Sequence, residues 1–275
     1  MTSEFGTDIR GCSKLSANIF PYSGEEKIIL EDYRDLNQYE IDYRDLGFER
    51  IQEHFRKREA LTVLVSRKTD SILEIGCGYD SIVSYVNFSH ATILEPIRTH
   101  LKSAEKLMNK EAVERTTFIE GFAPQDIPLN KKFDVIYAMS IIHEISHPQA
   151  FLESLGSSLS EGGRIIITVT NKNSIHRLLG QHMGISSEVR TRTEDRMQQF
   201  TGAMDMDELE NIIEISGFYS EHMGTFFPKL LPHETMSKFM SGGERDGIFL
   251  SKLFELGAFL PDFGSEIICV IRKRG

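Results

Sequence analysis

The segment ILEIGCGYDSI, residues 72–82, contains the strongest chemical signal in the sequence. An apolar run leads to an acid, Glu74, and then to two glycines, Gly76 and Gly78, before a helix is expected. Glycine has no Cβ, so the backbone of such a turn can come close to a ligand. In open α/β sheets, ligands bind at the carboxyl ends of the strands. The pattern therefore predicts a small-molecule site at the end of the first strand.

A second acid, Glu95, ends the apolar run ATILE, 21 residues after Glu74. A carboxylate at the tip of the second strand can accept hydrogen bonds from the hydroxyls of a ribose. Together with the glycine turn, it indicates a cofactor that contains a nucleoside. An exposed or helix-capping glutamate is the alternative interpretation.

The same segment also bears on which nucleoside cofactor binds. The dinucleotide fingerprint GxGxxG requires a third glycine where this chain has Ser81. Glu74 places a negative charge before the turn, which suits a cationic ligand and repels a pyrophosphate. A ligand that bears an ammonium and a sulfonium fits this charge. The sequence therefore favours S-adenosylmethionine over NAD.

Four segments in this order resemble the motifs of class I S-adenosylmethionine-dependent methyltransferases. They are the acid and glycine turn (Glu74–Gly78), the acid Glu95, GFAPQDIPL (121–129) and FDVIYAMSIIHEISHP (133–148). The resemblance covers residues 70–170 and is closest to the ubiquinone-biosynthesis-like group, which acts on small metabolites. The later blocks NSIHRLLG, DMDELENIIEISGF and FFPKLLP are similar to a bacterial subgroup associated with secondary-metabolite or surface-polysaccharide pathways.

The resemblance implies a set of cofactor-binding residues in the glycine turn, at the tip of the second strand, and after the third and fourth strands. They are Glu74, Gly76, Cys77, Gly78, Glu95, Phe122, Ala123, Met139 and Ser140. The turn would line the methionine part of the cofactor, the acid before it would orient that part, and the second acid would hold the ribose. Residues 122–123 would flank the adenine, and residues 139–140 would lie under the cofactor. The family often has a small residue where Asp80 stands and an aspartate where Phe122 stands, so the adenine contact departs from the family pattern.

His143 is the first candidate for a catalytic base. It follows the fourth strand directly, in SIIHEI, where it would face the mouth of the cofactor site. Methyl transfer to a hydroxyl gains from a base that removes the proton of the acceptor. A histidine that packs or caps at this position is the alternative. Glu144 beside it would be solvated or would cap the next turn.

A polar, basic stretch over residues 171–204 interrupts the strand–helix alternation and is expected to cover the acceptor. It contains His176, the second catalytic candidate. The cations of this stretch and one further lysine would form a basic pocket for an anionic acceptor, such as a carboxylate or a nucleotide-linked sugar. They are Lys172, Arg177, Arg190, Arg192 and Lys229, of which Arg177 and Lys229 are our substrate-binding candidates. A solvated charged surface is the alternative. The histidines show no tight ligand spacing, so we expect no metal site.

The elements that position these residues follow the alternation of a Rossmann-like α/β fold. Apolar runs predict a seven-stranded, mostly parallel sheet with helices on both faces: SILEIG, ATILEP, TTFIEG, FDVIYAM, RIIITVT, FYSEHMGTFF and SEIICVIRK. The last strand is expected to be antiparallel beside the fifth. One helix should begin at Pro148 and stop at Gly162-Gly163. Another should begin after Asp205, whose spacing to Glu208 predicts a capping box.

We expect a single methyltransferase domain in four parts. Residues 1–69 would form a helical N-terminal cap, and residues 70–170 the cofactor-binding core. Residues 171–204 would be an insertion after the fifth strand that covers the acceptor, and residues 205–275 would complete the sheet. Tyrosines on the N-terminal segment would either close over the cofactor or simply pack.

Composition limits the classes of partner and compartment. The chain has 275 residues and a formal net charge of −10, which argues against nucleic acid as a partner. The cysteines Cys12, Cys77 and Cys269 form no CxxC pair, so neither disulfides nor zinc are indicated. No signal peptide and no run of 18 apolar residues is present, so we expect a cytoplasmic protein without a membrane partner.

The sequence therefore predicts S-adenosylmethionine-dependent transfer of a methyl group to a hydroxyl of a small metabolite. A secondary metabolite or a sugar precursor is expected, and an anionic acceptor is left open. The first alternative is an N-methyltransferase that acts on an amino sugar or another amine. The remaining alternatives are an NAD-dependent oxidoreductase and a non-catalytic scaffold that binds the cofactor. A homodimer is left open as well.

Overall fold

The computed structural model describes residues 35–45, 47–63, 69–184, 202–240 and 244–275. These contain one seven-stranded sheet in the order β3-β2-β1-β4-β5-β7-β6. The strands are β1 (Thr69–Ile75), β2 (Phe88–Glu95), β3 (Thr116–Glu120), β4 (Phe133–Met139), β5 (Leu159–Thr170), β6 (Phe218–Phe226) and β7 (Glu266–Lys273). Strand β7 is antiparallel to β5 and to β6, whereas β1 to β5 pair in parallel. The predicted fold class is confirmed, including the antiparallel last strand beside the fifth.

The described helices surround this sheet. They are α1 (Leu36–Asp45), α2 (Glu49–Val63), α3 (Arg98–Leu107), α4 (Lys110–Glu114), α5 (Pro148–Ser158), α6 (Ile175–His182), α7 (Met206–Ile215), α8 (His233–Phe239) and α9 (Glu244–Leu256). Short 3₁₀ turns follow β1, β4 and α9, at Ile82–Tyr85, Ile142–Glu144 and Gly257–Phe259. In the described part of the chain, no helix is both long and apolar enough to span a bilayer.

The sheet is buried on both faces, as its apolar runs require. Ile72 and Ile166 belong to a cluster that packs under α2, α3, α4, α8 and α9. The next residues along the two strands, Leu73 and Ile167, belong to a second cluster under α5 and α7. Because successive strand residues point to opposite faces, each strand contributes to both clusters. This packing fixes the carboxyl ends of β1 to β6, where the candidate residues lie.

Two local signals in the sequence have different outcomes. The capping box of α7 is confirmed: Asp205 Oδ1 accepts from the Glu208 amide at 2.8 Å, and Glu208 Oε2 accepts from the Asp205 amide at 2.9 Å. Helix α5 begins at Pro148 as expected, but the predicted stop at Gly162-Gly163 is wrong. The helix ends at Ser158, and both glycines lie within β5. A Cβ on Gly163 would lie 3.0 Å from a backbone oxygen of β4, so the glycine permits close strand pairing.

The approach of residue 264 to β6 makes a prediction about stability. A Cβ on Gly264 would lie 2.4 Å from the backbone N and O of Phe226. Backbone atoms cannot rotate away, so Gly264→Ala should lower the free energy of unfolding by about 2 kcal/mol. Gly224→Ala is the control, because its Cβ would be 3.8 Å from the nearest atom, His222 Nε2. Urea denaturation measures both, and equal midpoints for the two variants would contradict the predicted close contact.

Candidate active site

The glycine turn after β1 has the conformation that its sequence predicts. Gly76 and Gly78 have φ angles of +72° and +59°, which favour glycine over other residues. A Cβ on Gly76 would lie 2.5 Å from Ile141 Cδ1, and one on Gly78 would lie 3.1 Å from Glu53 Oε1. The turn is therefore narrow, and a side chain at either glycine would fill the space beside it.

Glu74 lies beneath this turn, with 1% of its surface exposed. Its carboxylate accepts from the Ser81 hydroxyl and, at 3.1 Å, from the amide of Ile82. Burial raises the pKa of Glu74 to about 7, against the lowering effect of these hydrogen bonds. Its direct contacts are thus to the turn itself, so its effect on a ligand comes through the turn and through its charge.

Glu95 ends β2 and reaches the same turn. Its Oε2 accepts from the Gly78 amide at 3.2 Å, and its Oε1 accepts from the Ile97 amide at 2.9 Å. The thiol of Cys77 lies 3.8 Å from Oε2. Burial and the neighbouring carboxylate raise the pKa of Cys77 well above its usual value, so the thiol stays protonated. The predicted ribose acid is thus held against the predicted glycine turn.

A pocket opens at the carboxyl ends of β1, β2 and β4. Phe122 and Ala123, the residues predicted to flank an adenine, line it together with Ile75, Leu94 and Ile141. Most of this wall is apolar, which suits the faces of a flat heteroaromatic ring. The pocket adjoins Gly76, so the aromatic wall and the glycine turn form one site.

Sequence reasoning missed the acid beside Phe122. Asp126 lies four residues later, and its Oδ2 accepts from the Phe122 amide at 2.8 Å. A Cβ on Gly121 would lie 2.4 Å from the same oxygen, so this glycine lets the carboxylate fold back onto the loop. The family pattern places an aspartate at position 122. Here an aspartate approaches that position from the following turn.

Met139 and Ser140 lie at the end of β4, as predicted. Ser140 has a φ of 57°, in the left-handed region that non-glycine residues rarely adopt. Its amide donates to both the carbonyl and the hydroxyl oxygen of Thr168 on β5, at 3.0 Å each. This bend directs Ile141 toward Gly76. Thr168 is thus a supporting residue that the sequence analysis did not identify.

His143 is buried in the 3₁₀ turn that follows, with 3% exposure. Its neighbours Ile141 and Glu144 both line the pocket. Glu144 Oε1 also accepts from the hydroxyl of Tyr39 on α1 at 3.0 Å, so it is neither simply solvated nor a cap. The N-terminal helix is therefore hydrogen-bonded to a pocket-lining residue next to the candidate base.

A second group of candidate residues comes together near the carboxyl end of β6, away from the pocket. Lys229 follows β6, and its Nζ lies 2.9 Å from His233 Nδ1. Burial and the charges of Lys229 and Arg177 lower the pKa of His176 well below its usual value. Burial lowers the pKa of Lys229 to about 7. His176, Arg177 and Lys229 thus interact with one another, whereas His143 lies apart from them, in the turn whose residues Ile141 and Glu144 line the pocket.

The other three cations of the predicted basic pocket are not part of this group as the structure describes it. Lys172 is wrong as a member, because its ammonium pairs with Asp205 and Glu208 at 2.7 Å each. These acids lie at the start of α7, and the capping box that holds them draws the lysine there. Arg190 and Arg192 lie outside the described residues.

Buried polar residues on α2 were also missed. Arg56 binds Glu266, the first residue of β7, through Nε at 2.7 Å and through Nη2 at 2.8 Å. Gln52 donates to the same carboxylate at 2.6 Å, and Glu49 accepts from Arg56 at 3.0 Å. The helical spacing of these residues is visible in the sequence, but a polar stripe on a helix is usually solvated. Its partner lies more than 200 residues later.

Comparison with known proteins identifies the family. Residues 46–222, more than half of the chain, match the family model described as methyltransferase domain. The chain belongs to this family. The match confirms the predicted methyltransferase activity, with S-adenosylmethionine as methyl donor. None of the curated proteins matches the sequence significantly.

Solved structures with the same fold are distant in sequence. The plantazolicin methyltransferase BamL, in complex with a triazolic desmethylPZN analog and SAH, has a TM-score of 0.55 and 20% identity, covering 90% of this chain and 93% of that one. A chain from the Haloferax volcanii complex of the Trm112 activator and a putative methyltransferase has a TM-score of 0.58 and 13% identity. The match covers 87% of this chain and 97% of that one. The mitomycin 7-O-methyltransferase MmcR has a TM-score of 0.51 and 15% identity. The match covers 86% of this chain and 60% of that one. At these identities they support the fold alone.

The described residues of the methyltransferase fit its methyl donor. The glycine turn leaves room that a Cβ would fill, a carboxylate lies at the tip of β2, and an apolar wall adjoins both. The three features offer the space, the hydrogen-bond acceptor and the apolar surface that the methionine, ribose and adenine parts of S-adenosylmethionine require.

Glu95 should control cofactor affinity in this methyltransferase. Both of its oxygens accept from backbone amides, so the NH₂ group of Glu95→Gln would face an N–H donor as well as lose the charge. We expect the Kd for SAH, measured by calorimetry, to rise about tenfold or more. Glu120→Gln is the matched control, because Glu120 is the register partner of Glu95 on β3 and is exposed. Similar affinities for both variants would contradict a ribose role.

Glu74 should make cofactor binding pH-dependent. Its pKa of about 7 means that the carboxyl loses its charge as the pH falls from 8 to 6. Affinity for the cationic S-adenosylmethionine should therefore fall over this range, by up to about tenfold. In Glu74→Gln, which is neutral throughout, this part of the pH dependence should disappear. Calorimetric titrations at three pH values test it, and parallel profiles for the two proteins would reject it.

Proposed function

We propose that this methyltransferase transfers the methyl group of S-adenosylmethionine to a hydroxyl of a small metabolite. The observation that carries the proposal is the apolar pocket, which is lined by Gly76 of the glycine turn that Glu95 holds and by Ile141 and Glu144 on either side of His143. The solved neighbours are consistent with a small acceptor, since BamL was crystallised with a desmethylPZN analog and MmcR is a mitomycin 7-O-methyltransferase. A secondary metabolite or sugar precursor remains the expected acceptor class.

The cofactor roles that we propose are those implied by the family resemblance, and the geometry of the turn and the pocket supports them. We assign the backbone of Gly76, Cys77 and Gly78 to the methionine part, and the Glu95 carboxylate to the ribose. Phe122 and Ala123 would flank the adenine, since both line the apolar wall. Residues 139–140 would lie beneath the cofactor at the end of β4. When bound, S-adenosylmethionine supplies an electrophilic methyl group on a sulfonium.

We assign His143 as the base for this reaction. The acceptor hydroxyl must lose its proton as its oxygen bonds to the methyl carbon, and a neutral imidazole can take that proton. His143 follows β4, and the pocket-lining residues Ile141 and Glu144 flank its turn. Glu144 in turn is bound by Tyr39 of α1, so closure of the N-terminal helix fixes this part of the site.

The acceptor would lie between the pocket and the group formed by His176, Arg177 and Lys229. Helix α2 spans this distance, since Glu53 approaches Gly78 at one side and Gln52 reaches Lys229 at the other. Arg177 and Lys229 would bind an acceptor that carries negative charge. His176, the second catalytic candidate, lies with them and is better suited to binding than to deprotonation near the sulfonium.

The reaction itself can be tested on a metabolite pool. The purified protein is incubated with S-adenosylmethionine that carries an isotopically labelled methyl group and with the small-molecule fraction of a bacterial extract. Mass spectrometry should find labelled products whose fragments carry the methyl on oxygen. Label on nitrogen would assign the N-methyltransferase alternative, and turnover of the cofactor without any labelled product would reject both.

Replacing the proposed base should separate the reaction from cofactor binding. We expect His143→Gln to lower turnover by about 10² to 10⁴ if the acceptor is a hydroxyl, because general-base catalysis contributes that much. The Kd for SAH should stay within a factor of about two, since the side chain does not hold the cofactor. His147→Gln, an exposed histidine four residues later, is the control. A loss of turnover equal to that of the control would contradict the role of His143.

A further inference from the structure

Four basic side chains come together near the carboxyl end of β6 and the start of β7. His176 and Arg177 come from α6, Lys229 from the segment after β6, and His233 from the start of α8. None of them lines the cofactor pocket. We call this set the Lys229 group.

A hydrogen-bonded chain holds Lys229 in place. Glu49 Oε2 lies 3.0 Å from His233 Nε2, and His233 Nδ1 lies 2.9 Å from Lys229 Nζ. Because a neutral imidazole has one donor and one acceptor nitrogen, the carboxylate fixes the tautomer: Nε2–H donates to Glu49, and Nδ1 accepts from Lys229. Lys229 Nζ also donates to Gln52 Oε1 at 3.3 Å. The amino group is thus oriented by α2 and α8, although the residue is only 3% exposed.

The fixed charges around Lys229 are already balanced without it. Two carboxylates, Glu49 and Glu266, act on the group, and two guanidiniums, Arg56 and Arg177, oppose them. Charging Lys229 therefore leaves a positive excess in a buried place, which burial makes costly. This agrees with the lowered pKa values of Lys229, His176 and His233, each of which has burial as its largest cause.

Two nitrogens of the group can still donate a hydrogen bond to a ligand: Nδ1 of His176 in the tautomer that carries the proton there, and Nζ of Lys229 once it is protonated. The Nδ1 atom of His176 is buried and has no hydrogen-bond partner among the described residues. Once protonated, Lys229 has three N–H donors and, in the described part of the chain, two side-chain acceptors for them, so one donor is left for a ligand. A buried polar atom without a partner costs free energy, so a site of this kind gains when a ligand supplies the missing acceptor.

We propose that the Lys229 group binds an oxyanion of the methyl acceptor, a carboxylate or a phosphoryl group, and takes up a proton when it does so. The proposal rests on the proposed function, for which it names the substrate class. The incoming negative charge would compensate a protonated Lys229, so charge balance is kept by one proton from solvent. Glu49, Arg56 and Glu266 face the group from α2 and β7, and they stay paired with one another throughout.

Calorimetry with simple oxyanions tests this. Acetate represents a carboxylate and sulfate represents a tetrahedral phosphoryl group, and neither titrates near neutral pH. Each is titrated into the protein at about pH 7.5, in two buffers with different ionisation enthalpies, so that the difference in heat reports proton uptake. We expect one or both anions to bind with uptake of up to one proton. The anion that binds more tightly identifies the acceptor group.

Lys229→Gln should weaken anion binding at least tenfold and remove the proton uptake. His176→Gln, at a less buried position, should weaken binding as well and serves as a second variant if Lys229→Gln does not fold. Lys172→Gln is the matched control, because Lys172 is already paired with Asp205 and Glu208. Binding that is absent in the native protein, equal in Lys229→Gln, or free of proton uptake would overturn the proposal.

Titration of the same samples with SAH separates the two proposals. Lys229→Gln should keep the native Kd for SAH, because the lysine lies outside the cofactor pocket. Native SAH binding with no anion binding rejects the oxyanion site alone. A native protein that binds no SAH rejects the proposed function, whatever the anions do.

Discussion

The hydrogen bond between Glu95 and the glycine turn is the interaction on which the site depends. Its carboxylate accepts from the Gly78 amide across the gap between β2 and β1, so two adjacent parallel strands end in one hydrogen-bonded unit. Glu74 supports the same turn from below through Ser81 and Ile82. Because both carboxylates are buried, each is stable only while these donors are in place. The backbone at Gly76 and Gly78 is therefore pre-organised for a ligand before one binds.

The second constraint is the buried polar face of α2. Arg56 lies between Glu49 and Glu266, and removing one member of such a buried set typically costs about 3–5 kcal/mol because it leaves an uncompensated charge. The helix is thus fixed to the start of β7, while Glu53 on its neighbouring side approaches Gly78. One rigid element in this way touches both the cofactor turn and the Lys229 group.

The sequence predicted the parts of the molecule in which the signal is local. Apolar runs locate the strands, Asp205 and Glu208 locate a helix start, and Glu74, the glycines and Glu95 lie together at the carboxyl ends of β1 and β2, as their pattern predicts. The Lys229 group shows the limit: His233 binds Glu49, a residue 184 positions away, and no local pattern links them. Lys172 shows a different limit. Its charge suggested membership of a basic pocket, but in the structure it pairs with Asp205 and Glu208 of the capping box. Charge composition alone does not tell which cations a fold will leave available.

The two ends of the site differ in sign, and this bears on turnover. Carboxylates at 74 and 95 lie beside the glycine turn, whereas Lys229 and Arg177 belong to the Lys229 group, where we propose that the acceptor binds. A cationic donor and an anionic acceptor would each be attracted to their own end. Methyl transfer removes the positive charge of the sulfonium, so the attraction of the carboxylates falls for the product and not for the substrate. Ionised Glu74 then favours exchange of SAH for a new donor, and the raised pKa of Glu74 makes this preference strongest above neutral pH.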